Sequence, residues 1–138
     1  MNRFPATITQ IESEGSLHIV TFDLHGTQLR MMSLALGSEV RVGAEVILTI
    51  KSTYIALAKQ FTGQVSYTNL IPAMITQIEQ GRLLSSILLD TYGHTLESII
   101  TRGSADSMEL AVGDEVTMLI KASELSIVEV LPDKKAPA

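Results

Sequence analysis

Two short stretches contain the residues that could do chemistry, because in each a lysine is followed by small side chains that include hydroxyl groups. The first is Lys51-Ser52-Thr53 and the second is Lys121-Ala122-Ser123, and each directly follows an isoleucine. A lysine ammonium group, hydroxyl groups and the N–H groups of a turn can together surround a tetrahedral oxyanion. An isolated lysine is usually just solvated. A binding pocket and a solvated strand end therefore both stay open, and the recurrence of the element gives the pocket equal weight.

Other reactive patterns are weak. The chain contains no Cys, no Gly-x-Ser-x-Gly elbow, no phosphate-binding glycine loop and no dinucleotide fingerprint. Its three histidines, His18, His25 and His94, lack the spacing of metal ligands, and two of them flank turn glycines. The sequence thus predicts a protein that is not an enzyme, with no catalytic residue, no protein-bound metal site and no cofactor.

Composition and charge argue against nucleic acids and membranes as partners. Of 138 residues, 46% are hydrophobic and 18% are charged, which is typical of a folded domain. The formal net charge is −5, the lysines and arginines do not cluster, and only 4% of residues are aromatic, so we expect no nucleic-acid binding. No apolar run reaches the ~18 residues of a membrane span, and the amino terminus lacks the apolar stretch of a secretory signal. We expect a cytoplasmic protein that does not enter membranes.

An internal repeat organises the chain. Residues 2–29 match residues 69–96 at a constant offset of 67, with 12 of 28 positions identical. The offset later becomes 70, where Gly43–Val46 matches Gly113–Val116 and Ile50-Lys51 matches Ile120-Lys121. The first copy is therefore three residues shorter between Leu29 and Gly43. A duplication of one unit of about 65 residues is predicted, which places the two lysine stretches at equivalent positions.

Each copy shows five short runs that are rich in β-branched residues or alternate in polarity, separated by turn glycines. The runs in the first copy are Ala6–Ile11, Leu17–Leu24, Thr27–Leu34, Val46–Ile50 and Tyr54–Leu57, and those in the second are Met74–Ile78, Leu83–Leu89, Thr95–Thr101, Val116–Ile120 and Leu125–Val130. Residues Ser104–Met108 read as one capped helical turn. The fold class is all-β, with two tandem five-stranded Greek-key barrels of the OB type, each with a short helical turn.

The expected boundaries are residues 1–65 for the first barrel, 66–132 for the second and 133–138 for a frayed tail. The connector, Gln60–Thr68, is too short to let the two units tumble freely, so we expect them to pack together. The strand Leu83–Leu89 is apolar on both faces, which predicts burial on both sides, against a second barrel or a second chain.

The order of these elements resembles the TOBE, or molbindin-type molybdate-binding, domain family. The matching residues are Asn-x-x-x-Ala-x-Ile at Asn2–Ile8 and Asn69–Ile75, the turn glycines, Gly-x-Glu-Val, and the two lysine stretches, which we call the first and second lysine turns. In the second copy, Leu96–Ser104, Leu110 and Gly113 also fit the family pattern. The resemblance covers about residues 2–130.

This resemblance implies a ligand, molybdate or tungstate, held between domains and subunits, commonly in a homotrimer of two-domain chains. Family members often begin the unit with Ser-Ala-Arg-Asn, where this chain has Ser66-Tyr67-Thr68-Asn69, so Thr68 replaces the arginine. The resemblance implies oxyanion contacts from eleven residues: Lys51, Ser52, Thr53, Lys121, Ala122, Ser123, Ser66, Thr68, Asn69, Ser98 and Ser104.

The function implied is cytoplasmic binding and storage, or buffering, of the oxyanion without catalysis. Two alternatives stay open. The chain could be a sensing module that acts on a separate transporter or transcription partner, because TOBE-like units also occur attached to such proteins. It could also be a structural barrel that no longer binds a ligand.

Overall fold

A computed structural model describes residues 2–133 and consists mainly of antiparallel strands. The predicted tail therefore lies outside the described residues, apart from Asp133. A single turn of 3₁₀-helix, Ser52–Tyr54, follows the fourth strand, and one short helix, α1, follows the eighth. The elements are β1 (Asn2–Glu14), β2 (Leu17–Leu24), β3 (Thr27–Ser33), β4 (Glu45–Ile50), β5 (Ala56–Ala58), β6 (Asn69–Gln80), β7 (Leu84–Thr91), β8 (His94–Thr101), α1 (Arg102–Ser107), β9 (Glu115–Ile120) and β10 (Ser126–Val130).

The strands form two five-stranded sheets with the order β10-β4-β1-β2-β3 and β5-β9-β6-β7-β8. Four strands of each copy follow the Greek-key order 4-1-2-3. The fifth strand of each copy is exchanged, because β5 pairs with β9 and β10 pairs with β4. Cutting the chain at residue 65 would thus remove one strand from each sheet. We call the sheet that contains β1 the first barrel and the sheet that contains β6 the second barrel.

Each sheet curls until its two edges meet. In the first barrel the Met32 N–H donates to the Ala122 carbonyl at 2.9 Å, which joins β3 to the segment that leads into β10. In the second barrel the buried Ser98 hydroxyl on β8 donates to the Ile55 carbonyl at 2.7 Å, next to β5. The all-β fold with two OB-like barrels is confirmed, and the lysine turns lie beside these two closing seams.

The duplication extends to irregular features of the backbone. A bulge interrupts the pairing of β1 with β2 between Ile8 and Gln10, and β6 with β7 has its bulge at the equivalent positions, Ile75 and Gln77. The buried side chains of both barrels form one continuous hydrophobic core that includes Phe22, Leu48 and Ile87. The two barrels are therefore packed together, as the short connector predicts.

One expectation is wrong and another is met only in part. The helical turn is present in the second copy as α1, but the equivalent segment of the first copy, residues 34–44, contains only turns, because it is three residues shorter. In the strand predicted to be buried on both faces, Ile87 and Leu89 are buried, but Leu83 is 70% exposed and Leu84 is 54% exposed. Packing within this chain therefore covers only part of that strand, and burial of the rest against a second chain stays a prediction.

Candidate functional site

The first lysine turn is a tight bend between β4 and β5. Lys51 has an extended backbone and its carbonyl accepts a hydrogen bond from the Tyr54 N–H at 2.9 Å, which closes one 3₁₀ turn. The Lys51 side chain is exposed, and its Nζ lies 5.4 Å from the centroid of the Tyr54 ring. A cation at this distance from an aromatic face is attracted to the ring. The ammonium group is therefore held near the turn while it stays accessible to an anion.

The Ser52 hydroxyl already has a charged partner. It donates to Oε1 of Glu97 at 2.9 Å, and the Ser86 hydroxyl donates to Oε2 of the same carboxylate at 2.5 Å. The hydrogen bonds from Ser86 and Ser52 hold the pKa of the Glu97 carboxyl below its ordinary value, although partial burial acts in the opposite direction. The hydroxyl groups of Ser52 and Ser86 beside the first lysine turn thus already donate their hydrogens to a carboxylate.

Thr53 opens onto a groove at the seam of the second barrel. The groove has a volume of about 460 Å³, and Tyr67, Ser104 and Glu124 also line it. The Ser104 hydroxyl accepts a hydrogen bond from the Thr101 hydroxyl at 2.9 Å, and the Ser104 N–H donates to the Thr101 hydroxyl oxygen at 3.1 Å, which caps α1. Thr53 and Ser104 are therefore brought together, although they are far apart in the sequence.

The second lysine turn lies at the seam of the first barrel, whereas the first lysine turn lies at the seam of the second barrel. The Lys121 side chain is exposed, and its carbonyl accepts a hydrogen bond from the Glu124 N–H at 3.0 Å. Ser123 lines a second groove of about 520 Å³, which Ser33, Glu39 and Glu129 also line. The two lysine turns thus lie beside two separate grooves, at equivalent positions of the repeat.

Asn2 and Asn69 have a role that the sequence did not reveal. Asn69 is fully buried; its side-chain oxygen accepts from the Arg30 N–H at 2.7 Å and its Nδ2 donates to the Arg30 carbonyl at 2.9 Å. Asn2 makes the same pair of bonds to the backbone of Glu97, at 2.7 and 2.9 Å. Each copy therefore clamps a strand of the other copy through one asparagine amide.

Of the other residues predicted to contact the oxyanion, some are buried and some are exposed. Ser98 is buried and donates to Ile55, whereas Ser66 and Thr68 are exposed on the connector. Ala122 offers its backbone, and its carbonyl accepts from Met32. The structure therefore gathers Ser52, Thr53, Ser98 and Ser104 along one seam and Lys121–Ser123 along the other.

Glu97 was missed as a candidate because it lies 45 residues from Ser52. The only signal in the sequence is a reversal of charge between the copies, since at the offset of 67 Glu97 corresponds to Arg30. The described residues, 2–133, contain no group of three or more His, Asp or Glu side chains placed to hold a metal ion. Chemically, the exposed lysines and the hydroxyl groups at the seams can bind an anion through charge-assisted hydrogen bonds.

Comparison with known protein families supplies the assignment. The model of the TOBE domain matches residues 66–127, which is the second copy of the repeat. The second copy of the repeat is therefore similar to the TOBE domain. The first copy repeats the same strand order, with the exchange of the fifth strand described above.

The curated relatives that this chain matches are longer proteins. The molybdenum import ATP-binding protein ModC of Brucella abortus is 30% identical over 105 residues, which cover 75% of this chain and 28% of that protein. The molybdenum transport protein ModE of Herbaspirillum seropedicae is 26% identical over 127 residues, which cover 88% of this chain and 47% of that protein. The chain thus spans less than half the length of either relative.

A solved structure supports the fold over almost the whole chain. The cytoplasmic molybdate-binding protein ModG, crystallised with molybdate bound, superimposes with a TM-score of 0.86 at 22% identity, covering 95% of this chain and 96% of that one. At this identity the likeness establishes the two-barrel fold. Of residues 2–133, none belongs to a helix with the length and apolar character that crossing a bilayer requires.

Proposed function

We propose that this protein binds molybdate or tungstate and stores or buffers the anion in the cytoplasm, without chemical change to it. The observation that carries the proposal is the duplicated lysine turn. Lys51 and Lys121 occupy equivalent positions, both are exposed, and each stands where one half of the chain meets the other. The molybdenum-related names of the relatives support the choice of anion.

The proposed binding mode uses directed donors rather than a basic surface. Backbone N–H groups of the turn and the hydroxyl groups of Ser123, or of Ser52 and Thr53, would surround the four oxygens, while the lysine offsets part of the charge. Such hydrogen bonds to a charged group contribute about 1.5–3 kcal/mol each. No covalent bond of the anion is made or broken in this mode, which therefore involves neither catalysis nor a cofactor.

We further propose that the functional assembly is a homotrimer, in which neighbouring chains complete the sites that the two grooves leave open. An anion that binds only the assembled form would stabilise it by mass action. The connector residues Ser66 and Thr68 and the helix cap at Ser104 are accessible for contacts of this kind. Neither nucleic acid nor membrane is a proposed partner.

Native mass spectrometry with molybdate, tungstate and sulfate tests the proposal. The expected species is a trimer of about 45 kDa, three times 15.0 kDa, that takes up discrete molybdate or tungstate adducts and rejects sulfate. Lys121→Ala should weaken binding roughly tenfold to a hundredfold, because it removes one charge-assisted hydrogen bond. If Lys121→Ala bound the anion as tightly as the wild type, the proposed role of Lys121 would be wrong. An assembly that took up none of the anions would be a structural barrel.

The lengths of the relatives favour a second candidate function. Because the chain corresponds to 28% of one relative and 47% of another, it matches a module of larger transport proteins. Such a module could sense the oxyanion and act on a separate transporter or transcription partner. A pull-down from extract with and without molybdate distinguishes the two, since a storage protein needs no partner that depends on the ligand.

A further inference from the structure

The two lysine turns differ in the charge placed beside them. At the first turn, the Glu97 carboxylate accepts hydrogen bonds from the Ser52 hydroxyl at 2.9 Å and the Ser86 hydroxyl at 2.5 Å. At the second turn, the equivalent of Ser52 is Ala122, the equivalent of Glu97 is Arg30 and the equivalent of Ser86 is Ile19. The carboxylate and the two hydroxyl groups that hold it thus meet only at the first turn, and at the second turn an arginine occupies the position equivalent to Glu97.

The Glu97 carboxylate is well fixed at its position. The backbone N–H of Glu97 donates to the Asn2 side-chain oxygen at 2.7 Å, and the backbone carbonyl of Glu97 accepts from the Asn2 side-chain nitrogen at 2.9 Å. Both carboxylate oxygens are hydrogen-bonded, which leaves the side chain little freedom to swing away. Because the hydroxyl hydrogen bonds also lower the pKa of Glu97, the group carries its charge throughout the neutral range.

A fixed carboxylate has two effects on a second anion. It takes the Ser52 hydroxyl as a donor, and a single hydroxyl hydrogen serves one strong acceptor at a time. It also repels a dianion, since like charges a few ångströms apart disfavour each other strongly where water is partly excluded. Both effects act at the first turn, whereas Arg30 contributes the opposite charge on the equivalent strand of the other barrel.

We propose that Glu97 is a built-in anion that fills the first lysine turn, so that the wild-type chain binds the oxyanion at the second turn and excludes it from the first. This inference rests on the proposed function and makes Glu97 the residue that sets how many oxyanions each chain holds. Neutralising Glu97 removes the repelling charge and weakens the hold on the Ser52 hydroxyl, which opens the first turn to molybdate with an affinity there roughly tenfold higher than in the wild type.

The test is molybdate uptake per chain at pH 7.5, measured by equilibrium dialysis with metal analysis, on the full-length protein. Glu97→Gln removes the charge with little change of shape, and Glu97→Thr is a second neutral variant with a side chain suited to a strand. Glu79→Gln makes the same change of charge at an exposed position of β6 and is the matched control. Circular dichroism and native mass establish that each variant is folded and assembled.

The expected result is additional molybdate per chain in Glu97→Gln, and none in Glu79→Gln. The gain should persist in Glu97→Gln/Lys121→Ala and disappear in Glu97→Gln/Lys51→Ala, which places it at the first turn. Wild-type binding with no gain in either neutral variant overturns the inference and leaves the proposed function intact. Absence of binding in the wild type and in every variant overturns both. Binding that appears only after Glu97 is neutralised supports exclusion by Glu97 at the first turn and overturns binding at the second turn, and with it storage by the wild-type chain.

Discussion

At the scale of single residues, the buried amide of Asn69 does more than its own strand requires. It supplies both partners for the backbone of Arg30, which belongs to the other copy. Asn69→Ala would leave a partly buried N–H and a partly buried carbonyl of Arg30 without partners, and a fully buried group left in this way costs about 1–3 kcal/mol. We expect a loss of roughly 2–4 kcal/mol in the free energy of unfolding, measured by urea denaturation. Thr68→Ala, at the exposed neighbouring position, is the control, and an unchanged midpoint for Asn69→Ala would contradict the clamp.

The lowered pKa values of two carboxyl groups predict how the stability of the fold responds to acid. Asp114 accepts a hydrogen bond from Lys59 and another from the Ala111 N–H, which lower its pKa, and the Ser86 and Ser52 hydroxyls lower that of Glu97. Because these values are depressed in the folded state, their stabilisation is complete above the pKa of the unfolded chain. It is lost as the pH falls through the folded value. Stability should therefore decrease steadily in acid, below the ordinary range of carboxyl groups.

Urea midpoints measured from pH 7 down to pH 2 test this dependence. Asp114→Asn and Glu97→Gln should each flatten the acid part of the curve, since each removes a group that binds a proton on unfolding. Glu79→Gln makes the same change of charge at an exposed position of β6. If the acid slope of either variant equalled that of the wild type, the stabilising role of that carboxylate would be refuted.

At the scale of elements, β10 completes the first barrel although it lies at the far end of the chain. It covers the edge of β4 through the pairs Ile127 with Leu48 and Val130 with Val46. A chain that ends at Leu125 leaves that edge unpaired, and open edges promote association between chains. We expect a lower melting temperature and aggregation, measured by calorimetry and light scattering. A chain that ends at Asp133 retains every described residue and is the control, and equal melting of the two chains would contradict the role of β10.

The strands were predictable because their signals are local. Alternating polarity and turn glycines locate β2, β3, β7 and β8 to within a few residues. The predicted run Ala6–Ile11 starts later than β1, which begins at Asn2 and includes Pro5. Pro5 is tolerated in β1 because this part of the strand pairs with β4 while its pairing with β2 begins at Thr7.

Pairing partners were not predictable in the same way. The run Tyr54–Leu57 has the same pattern whether it joins its own sheet or the other one, so the exchange leaves no local trace. The lysine turns were found from spacing and recurrence, since they follow a strand in each copy. The contact of Ser52 with Glu97 was not, because it depends on how the second barrel closes, 45 residues further along the chain.

At the scale of the whole molecule, the two copies are tied together at several related points. Two asparagine clamps and two exchanged strands cross between them, and the β2–β3 and β7–β8 turns also meet. The His25 ring stacks on the Tyr92 ring at 5.1 Å, and the Thr27 hydroxyl is hydrogen-bonded to the Tyr92 hydroxyl. Because the two barrels also share one hydrophobic core, the chain should unfold as a single cooperative unit.

Splitting the chain after Gly63, in the connector, tests this unity and the expected boundary near residue 65. The fragment 1–63 lacks β10 and the Asn69 clamp, and the fragment 64–138 lacks β5 and the Asn2 clamp. Each fragment alone should give the poorly dispersed NMR spectrum of an unfolded chain, and mixing them should restore the spectrum of the intact protein. A cooperative unfolding transition in either isolated fragment would show that one barrel is stable without its exchanged strand. Because each lysine turn reaches its seam only when both halves are present, molybdate binding should return with the mixed fragments and be absent from either one.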